Sequence, residues 1–369
     1  MRTEPWLAEL SMNASLESLP VAQRHTVSSA VVPAASTLVA LATGITIREG
    51  ILEIPGDISL YHGGKLAGVR IAWRLAGPTA APVVCALGGI SANRCVCLTD
   101  DPRQEWWSQI AGPDRPLDVN QFRILSFDYL GGSGDSTGPE AGTTFPSISS
   151  YDQAQVLARV LDHLGIKSLH AIAGGSYGGM VALAFGELHP ERVAHLLIIG
   201  ASDRAHPMAT AWRSVQRQVV RFAADCGRPK DGLQLARALA MSTYRSSEEF
   251  SARFNGQPVL EGERFVFPVE SYLFSRGGDY ASRYRPEAFL CLSESIDLHR
   301  VDASRIFVPT TAVAVREDQL VPLGDMRAMV ARLPVARLHE ISSIYGHDAF
   351  LKETEQLRRI FAVALESVS

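Results

Sequence analysis

Three residues whose types suit nucleophilic acyl chemistry stand in order along this chain: Ser176 in "GGSYG" (174–178), Asp318 in "REDQLVP" (316–322) and His347 in "YGHDAFL" (345–351). A serine hydroxyl is a weak nucleophile until a base takes its proton, and that base must be oriented by a carboxylate. The pentapeptide satisfies G-x-S-x-G, the pattern of a sharp strand-to-helix turn that leaves the serine oxygen exposed. Glycines suit such a turn because side chains at their positions would collide with it. By itself the pentapeptide also permits a bare turn or a phosphate cradle. The dinucleotide pattern G-x-G-x-x-G is not provided by "AGGSYGG".

The partners follow from order and position. His163, His170, His189 and His195 precede or flank the turn, and His206 and His299 fall in a helical stretch. His339 lies within a strand pattern, whereas His347 sits in a glycine-containing loop after the last such pattern. Asp318 follows the strand "AVAV" and precedes "QLVP"; Glu317 is the runner-up, and Asp325 reads as a solvated helix residue. An oxyanion would need two backbone donors. One is the N–H of Tyr177; the other is that of Leu87, or of Gly88, in "LGGIS" (87–91), a run that reads equally as a plain tight turn.

These residues need a scaffold that brings strand ends together. "ITIREGILEIP" and "GVRIAWRLAG" alternate like half-buried antiparallel strands. Short apolar runs follow at 81–89, 123–132, 169–176, 193–202, 309–318 and 335–343, as parallel strands buried on both faces require. Amphipathic helices are expected over 149–166 and 179–193. The alternation predicts an α/β fold, a mostly parallel sheet with helices on both faces. It stops over 204–300, which reads as an inserted helical lid, so the core domain comprises 46–203 and 301–369. Residues 1–45 read as a flexible extension.

Composition removes other classes. With 369 residues, 46% hydrophobic and 20% charged, the chain can bury a large core. A net charge of −4 gives no general attraction to nucleic acid or an anionic membrane. The odd count of five cysteines suits free thiols in a reducing compartment, and no Cys or His cluster suggests a metal. The start of the chain lacks a basic region followed by an apolar run, and 28–44 contains Pro33 and is short for a membrane span. Cytoplasmic location is the expectation.

"GGSYGGMVAL", "AMSTYRS", "DQLVP" and "YGHDAFL" resemble the homoserine O-acyltransferases, over about residues 50–366. The resemblance implies an α/β-hydrolase fold and transfer of an acetyl or succinyl group from an acyl-CoA to homoserine, in methionine biosynthesis. It implies no cofactor beyond the acyl-CoA co-substrate, and a homodimer formed through the lid. It matches Ser176, Asp318 and His347 to nucleophile, acid and base, Arg245 to the arginine that binds the substrate carboxylate, and Asp348 to the group that binds its ammonium. Acetylating members carry "ALTG" where this chain has "ALGGISANR", which is more similar to the succinylating branch. A succinyl group brings a second carboxylate, for which Arg213 is the candidate cation, with Arg94 and Arg217 behind it. A hydrolase on the same fold, an acyltransferase acting on L-serine and a non-catalytic binding protein are the rival readings.

Overall fold

The structure, a computed structural model, describes residues 36–40 and 44–366. Of the expected 1–45 extension, residues 1–35 and 41–43 lie outside the described residues. Nine strands form one sheet: β1 (Ser36–Ala40), β2 (Thr46–Glu53), β3 (Arg70–Gly77), β4 (Val83–Leu87), β5 (Arg123–Phe127), β6 (Ala171–Gly175), β7 (Leu196–Ile199), β8 (Thr310–Val315) and β9 (Ala336–Ile341). Their order is β1-β2-β3-β5-β4-β6-β7-β8-β9. Strands β4 to β9 run parallel to one another, and β1 to β3 are antiparallel. Strand β1 thus lies inside the stretch that the sequence suggested was an extension.

The continuous apolar runs have the cause expected of them. Every residue of β4, β6, β7 and β8 is buried, because helices cover both faces of the sheet. The helices α1 (Ser150–Leu164) and α2 (Tyr177–Leu188) pack on one face with α8 (Leu323–Val330). The last helix, α10 (Thr354–Glu366), packs on the other with Trp107 and Ile110. Ser149 and Asp152 form a capping box that starts α1, and Gly165 ends it in the left-handed region at φ 68°. Strand β3 departs from expectation: seven of its eight residues are buried, not alternate ones. Its one buried charge, Arg74, pairs with Glu49 at 3.1 Å and donates to the Leu98 carbonyl.

Between β7 and β8 come α3 (Pro207–Asp225), α4 (Pro229–Tyr244), α5 (Ser247–Arg253), α6 (Pro268–Arg283) and α7 (Pro286–Leu298). Proline opens four of these helices, where its missing N–H costs nothing. A hairpin at 259–266, which the helical reading did not include, interrupts them. The helices approach closely through glycine: a Cβ on Gly232 would lie 2.5 Å from that of Ala223, and one on Gly277 2.4 Å from the Gln234 carbonyl. Val220, Leu233, Ala236, Tyr280, Ala281 and Phe289 form a separate small core there. The remaining short helix, α9 (Ala349–Lys352), follows His347.

Candidate active site

Strand β6 lies between β4 and β7, with Gly174 opposite Leu87 and Gly175 opposite Ile199. The next residue, Ser176, therefore emerges at the carboxyl edge of the sheet between two strand ends. Its backbone sits at φ 54° and ψ −123°, a region that costs a non-glycine residue about 1–3 kcal/mol. Surrounding contacts hold it there. Ser176 N donates to the Ile199 carbonyl at 2.9 Å, and Gly178 N donates to the Gly88 carbonyl at 2.8 Å. A Cβ on Gly174 would lie 2.4 Å from the Gly178 carbonyl oxygen, and one on Gly178 2.3 Å from that of Leu87. Helix α2 begins directly at Tyr177, two residues earlier than the sequence pattern predicts, and ends before Pro190, which also shortens it.

His347 Nε2 lies 2.8 Å from Ser176 Oγ, and His347 Nδ1 lies 2.6 Å from Asp318 Oδ2. A carboxylate only accepts, so Nδ1 carries the proton and Nε2 is free to accept from the serine. Asp318 Oδ1 accepts from Leu320 N at 2.8 Å and Val321 N at 3.0 Å, which fixes the carboxylate at the end of β8. Burial works to lower the His347 pKa, but Asp318 and then Asp348 outweigh it, so the net shift is upward. Gly346, at φ 53°, lets the histidine loop meet the end of α4, where a Cβ would lie 2.6 Å from the Tyr244 carbonyl oxygen. Glu317 points elsewhere, accepting from Ser342 Oγ and from Ser343 N at 2.8 Å. Asp325 is half-buried and lines the cavity over Ser176, where a solvated position was expected. His195 and His299 are held by Thr311 and Ser150, and burial lowers both to about 4.

The N–H of Tyr177 is the first of α2, so it has no intrahelical acceptor. Leu87 is the buried last residue of β4, and the residues after it that line the cavity with Ser176 are Gly89, Ile90, Ser91 and Ala92.

Helices α3, α4 and α7 roof this cavity. Arg213 lines it, with Nε 2.8 Å and Nη2 2.7 Å from Asp297 Oδ1. Arg217 Nη1 holds Asp297 Oδ2 at 2.6 Å. Two guanidinium groups thus share one carboxylate, which leaves a surplus positive charge in the cavity wall. Arg94 is remote from this wall, tied to Asp128 and Asp135. Asp348 lines the cavity, but Arg245 does not: its Nε pairs with Asp348 Oδ2 at 2.9 Å and its Nη1 with Glu249 at 2.8 Å. The structure thus puts Arg245 behind Asp348, since both ends of its guanidinium are already taken by carboxylates.

The cation that does face the cavity is Arg237 on α4. Its guanidinium lies 5.1 Å from the Tyr244 ring and 4.7 Å from the Tyr280 ring, and Nη1 donates to Tyr244 Oη at 3.2 Å. No carboxylate pairs with it among the described residues. The signal in the sequence was a lone arginine in the apolar run "LARALAM" (235–241), which an exposed helix face would not explain. An activated serine beside a cavity lined by the Asp348 carboxylate and by a guanidinium with no carboxylate partner can pass an acyl group to a zwitterion.

The alpha/beta hydrolase fold family matches residues 84–354. A homoserine O-succinyltransferase of Xanthomonas campestris pv. campestris is 40% identical over 317 residues, 85% of this chain and 84% of that protein. A serine O-succinyltransferase of Litchfieldella anticariensis is 32% identical over 359 residues, 84% of this chain and 96% of that protein. Among solved structures, esterase E22 superposes with a TM-score of 0.78 at 17% identity, covering 86% of this chain and all of that one. A homoserine O-acetyltransferase from Bacillus anthracis gives 0.77 at 17% identity, covering 86% of this chain and 97% of that one. At such identities the structures share the fold, and an esterase and a transferase share it equally.

Proposed function

The chain belongs to the alpha/beta hydrolase fold and, within it, to the homoserine O-acyltransferase family, and from that premise we propose that it moves a succinyl group from succinyl-CoA to the hydroxyl of L-homoserine. Ser176 Oγ gives its proton to His347 Nε2 and attacks the thioester carbonyl, while the N–H of Tyr177 and a donor from the 88–89 turn hold the oxyanion. CoA leaves as the thiol, taking the proton from His347. The homoserine hydroxyl then loses its proton to His347 and attacks the acyl-serine. Collapse of that second intermediate returns the proton to Ser176 Oγ. The product places the reaction in methionine biosynthesis.

The observation that carries this reading is the cavity in which the Ser176–His347–Asp318 triad meets one carboxylate and two guanidinium groups. Asp348 takes the substrate ammonium and Arg237 its carboxylate. Arg213, seated on a carboxylate it shares with Arg217, takes the second carboxylate of the succinyl group. A hydrolase needs none of these. L-serine is the rival acceptor, since it lacks one methylene and a methylene in a pocket is worth only about 1–3 kcal/mol, and acetyl-CoA, which lacks the second carboxylate, is the rival donor. Free thiol is to be followed with each pairing of succinyl-CoA or acetyl-CoA with homoserine or serine. Fastest release with succinyl-CoA and homoserine is expected. Thiol release that ignores the amino acid would overturn transfer in favour of hydrolysis.

The same reading makes the protein a cytoplasmic homodimer. Val215, Phe222, Leu260 and Phe265 are exposed on the helical insert and suit pairing of two inserts.

A further inference from the structure

The chain enters and leaves its helical insert at one place, and arginines outnumber carboxylates there. Arg204 and Arg300 face each other across an antiparallel bridge, closed by Val301 N donating to the Asp203 carbonyl at 3.0 Å. A cavity of about 380 Å³ opens there, lined by Arg204, Arg300, Arg305 and Arg332, with Tyr61 and Tyr151. That is room for a small molecule and not only for a single ion.

Three carboxylates share the cavity, and each is engaged. Glu187 accepts from Tyr151 Oη and pairs with Arg305 at 3.4 Å. Asp203 pairs with Arg332 at 2.9 Å, and Asp302 caps the turn at 303–305 through Ser304 N. Arg204 and Arg300 have no carboxylate partner among the described residues. Like charges placed opposite each other on an antiparallel pair are destabilising, and an anion between them reverses the sign. Tyr61 stacks on Tyr151 at 4.3 Å and 22°, meets the His62 ring edge-on at 5.1 Å, and is still 58% exposed, which leaves aromatic surface for a further ring. Arg204 also lines the cavity over Ser176, so this residue is common to the walls of both cavities.

We propose that this neck cavity binds the 3′-phosphorylated ADP end of the acyl-CoA. Arg204 and Arg300 hold its phosphates in the forked geometry that suits guanidinium groups, and Tyr61 stacks on the adenine. The pantetheine arm then runs past Arg204 to Ser176. This site rests on the acyl-CoA reading above, and it makes the bridge between the two ends of the insert a part of donor recognition.

The test uses the full-length chain and compares kcat/KM for the acyl-CoA with kcat/KM for the same acyl thioester of pantetheine, which lacks the nucleotide. Arg300→Gln, and separately Arg204→Gln, should lower the ratio of the two values about tenfold, the equivalent of about 1.4 kcal/mol. A ratio unchanged in both variants overturns the site. Calorimetric titration with adenosine 3′,5′-bisphosphate reads the site without any turnover. Binding to the parent chain that weakens about tenfold in each variant supports the proposal even if no acyl group is transferred. No binding to the parent chain overturns it. Inorganic pyrophosphate bound as tightly as the bisphosphate would also overturn it, in favour of a general anion site.

Discussion

His347 is the residue through which every step of the proposed reaction passes, and its environment sets the pH at which those steps run. It must be neutral to accept the proton of Ser176. Burial disfavours the imidazolium, but Asp318 at 2.6 Å and Asp348 stabilise it more, so the pKa rises above 6.5. Activity should therefore fall as pH drops through a value above 6.5, because below it the base is already protonated. A pH profile of kcat/KM checks this, and an acid limb well under 6.5 would contradict it. Asp318→Asn removes the largest raising influence and frees the imidazole to take the wrong tautomer, so kcat should drop about 10⁴-fold. A second prediction separates two arginines. Arg237→Leu takes away a cation that faces the cavity and should raise KM for homoserine at least tenfold with a smaller effect on KM for the donor. Arg245→Leu leaves Asp348 without its ion pair and should instead shift the pH profile, since that carboxylate also acts on His347. Equal effects of the two substitutions on homoserine KM would return Arg245 to the binding role that the family resemblance implies.

At the scale of elements, the turn from β6 into α2 is held by backbone packing that tolerates no side chain. Gly178→Ala would put a methyl 2.3 Å from the Leu87 carbonyl oxygen, so either the turn or the 88–89 backbone must move. The expected result is a loss of at least tenfold in kcat with a lowered melting temperature, because overpacking costs about 1–3 kcal/mol and both proposed oxyanion donors lie there. Full activity in that variant would mean the turn is looser than its contacts. This element was legible from "GGSYG" because glycine spacing, strand and helix agree in one short window. The second oxyanion segment was legible only as a region. "LGGIS" marks a turn, but whether Leu87 ends the strand or starts the loop depends on its pairing with Gly174, which lies far away in sequence. Arg245 illustrates the same limit. The string "TYRS" shows an arginine at a helix end, whereas its two carboxylate partners, Glu249 and Asp348, meet it only in three dimensions. Arg237 stood out in the apolar run "LARALAM", but what it faces depends on Tyr244 and Tyr280, which close around it only in three dimensions.

The molecule as a whole has to keep water from an acyl-serine while admitting an amino acid, and the helical insert is the part that can do so. It touches the histidine loop directly: Ser246 N donates to the Ile344 carbonyl at 3.1 Å, and Gly346 abuts the Tyr244 carbonyl. A displaced insert would therefore disturb the base and open the cavity together. The fit of the insert depends on the close pairing of its own helices, where Gly277 lets α6 approach the Gln234 carbonyl on α4. Gly277→Ala places a methyl 2.4 Å from that oxygen, at a residue that does not itself line the cavity. Separation of α4 from α6 moves Arg237 and Tyr280 apart and loosens the roof. With acyl-CoA and saturating homoserine, the ratio of free acid to acylated amino acid should rise several-fold in this variant, while attack by Ser176 on the thioester persists. Chromatography of the products after complete thiol release measures that ratio directly. A ratio equal to that of the parent chain, with the melting temperature lowered, would mean that the insert contributes stability and substrate contacts but does not exclude water.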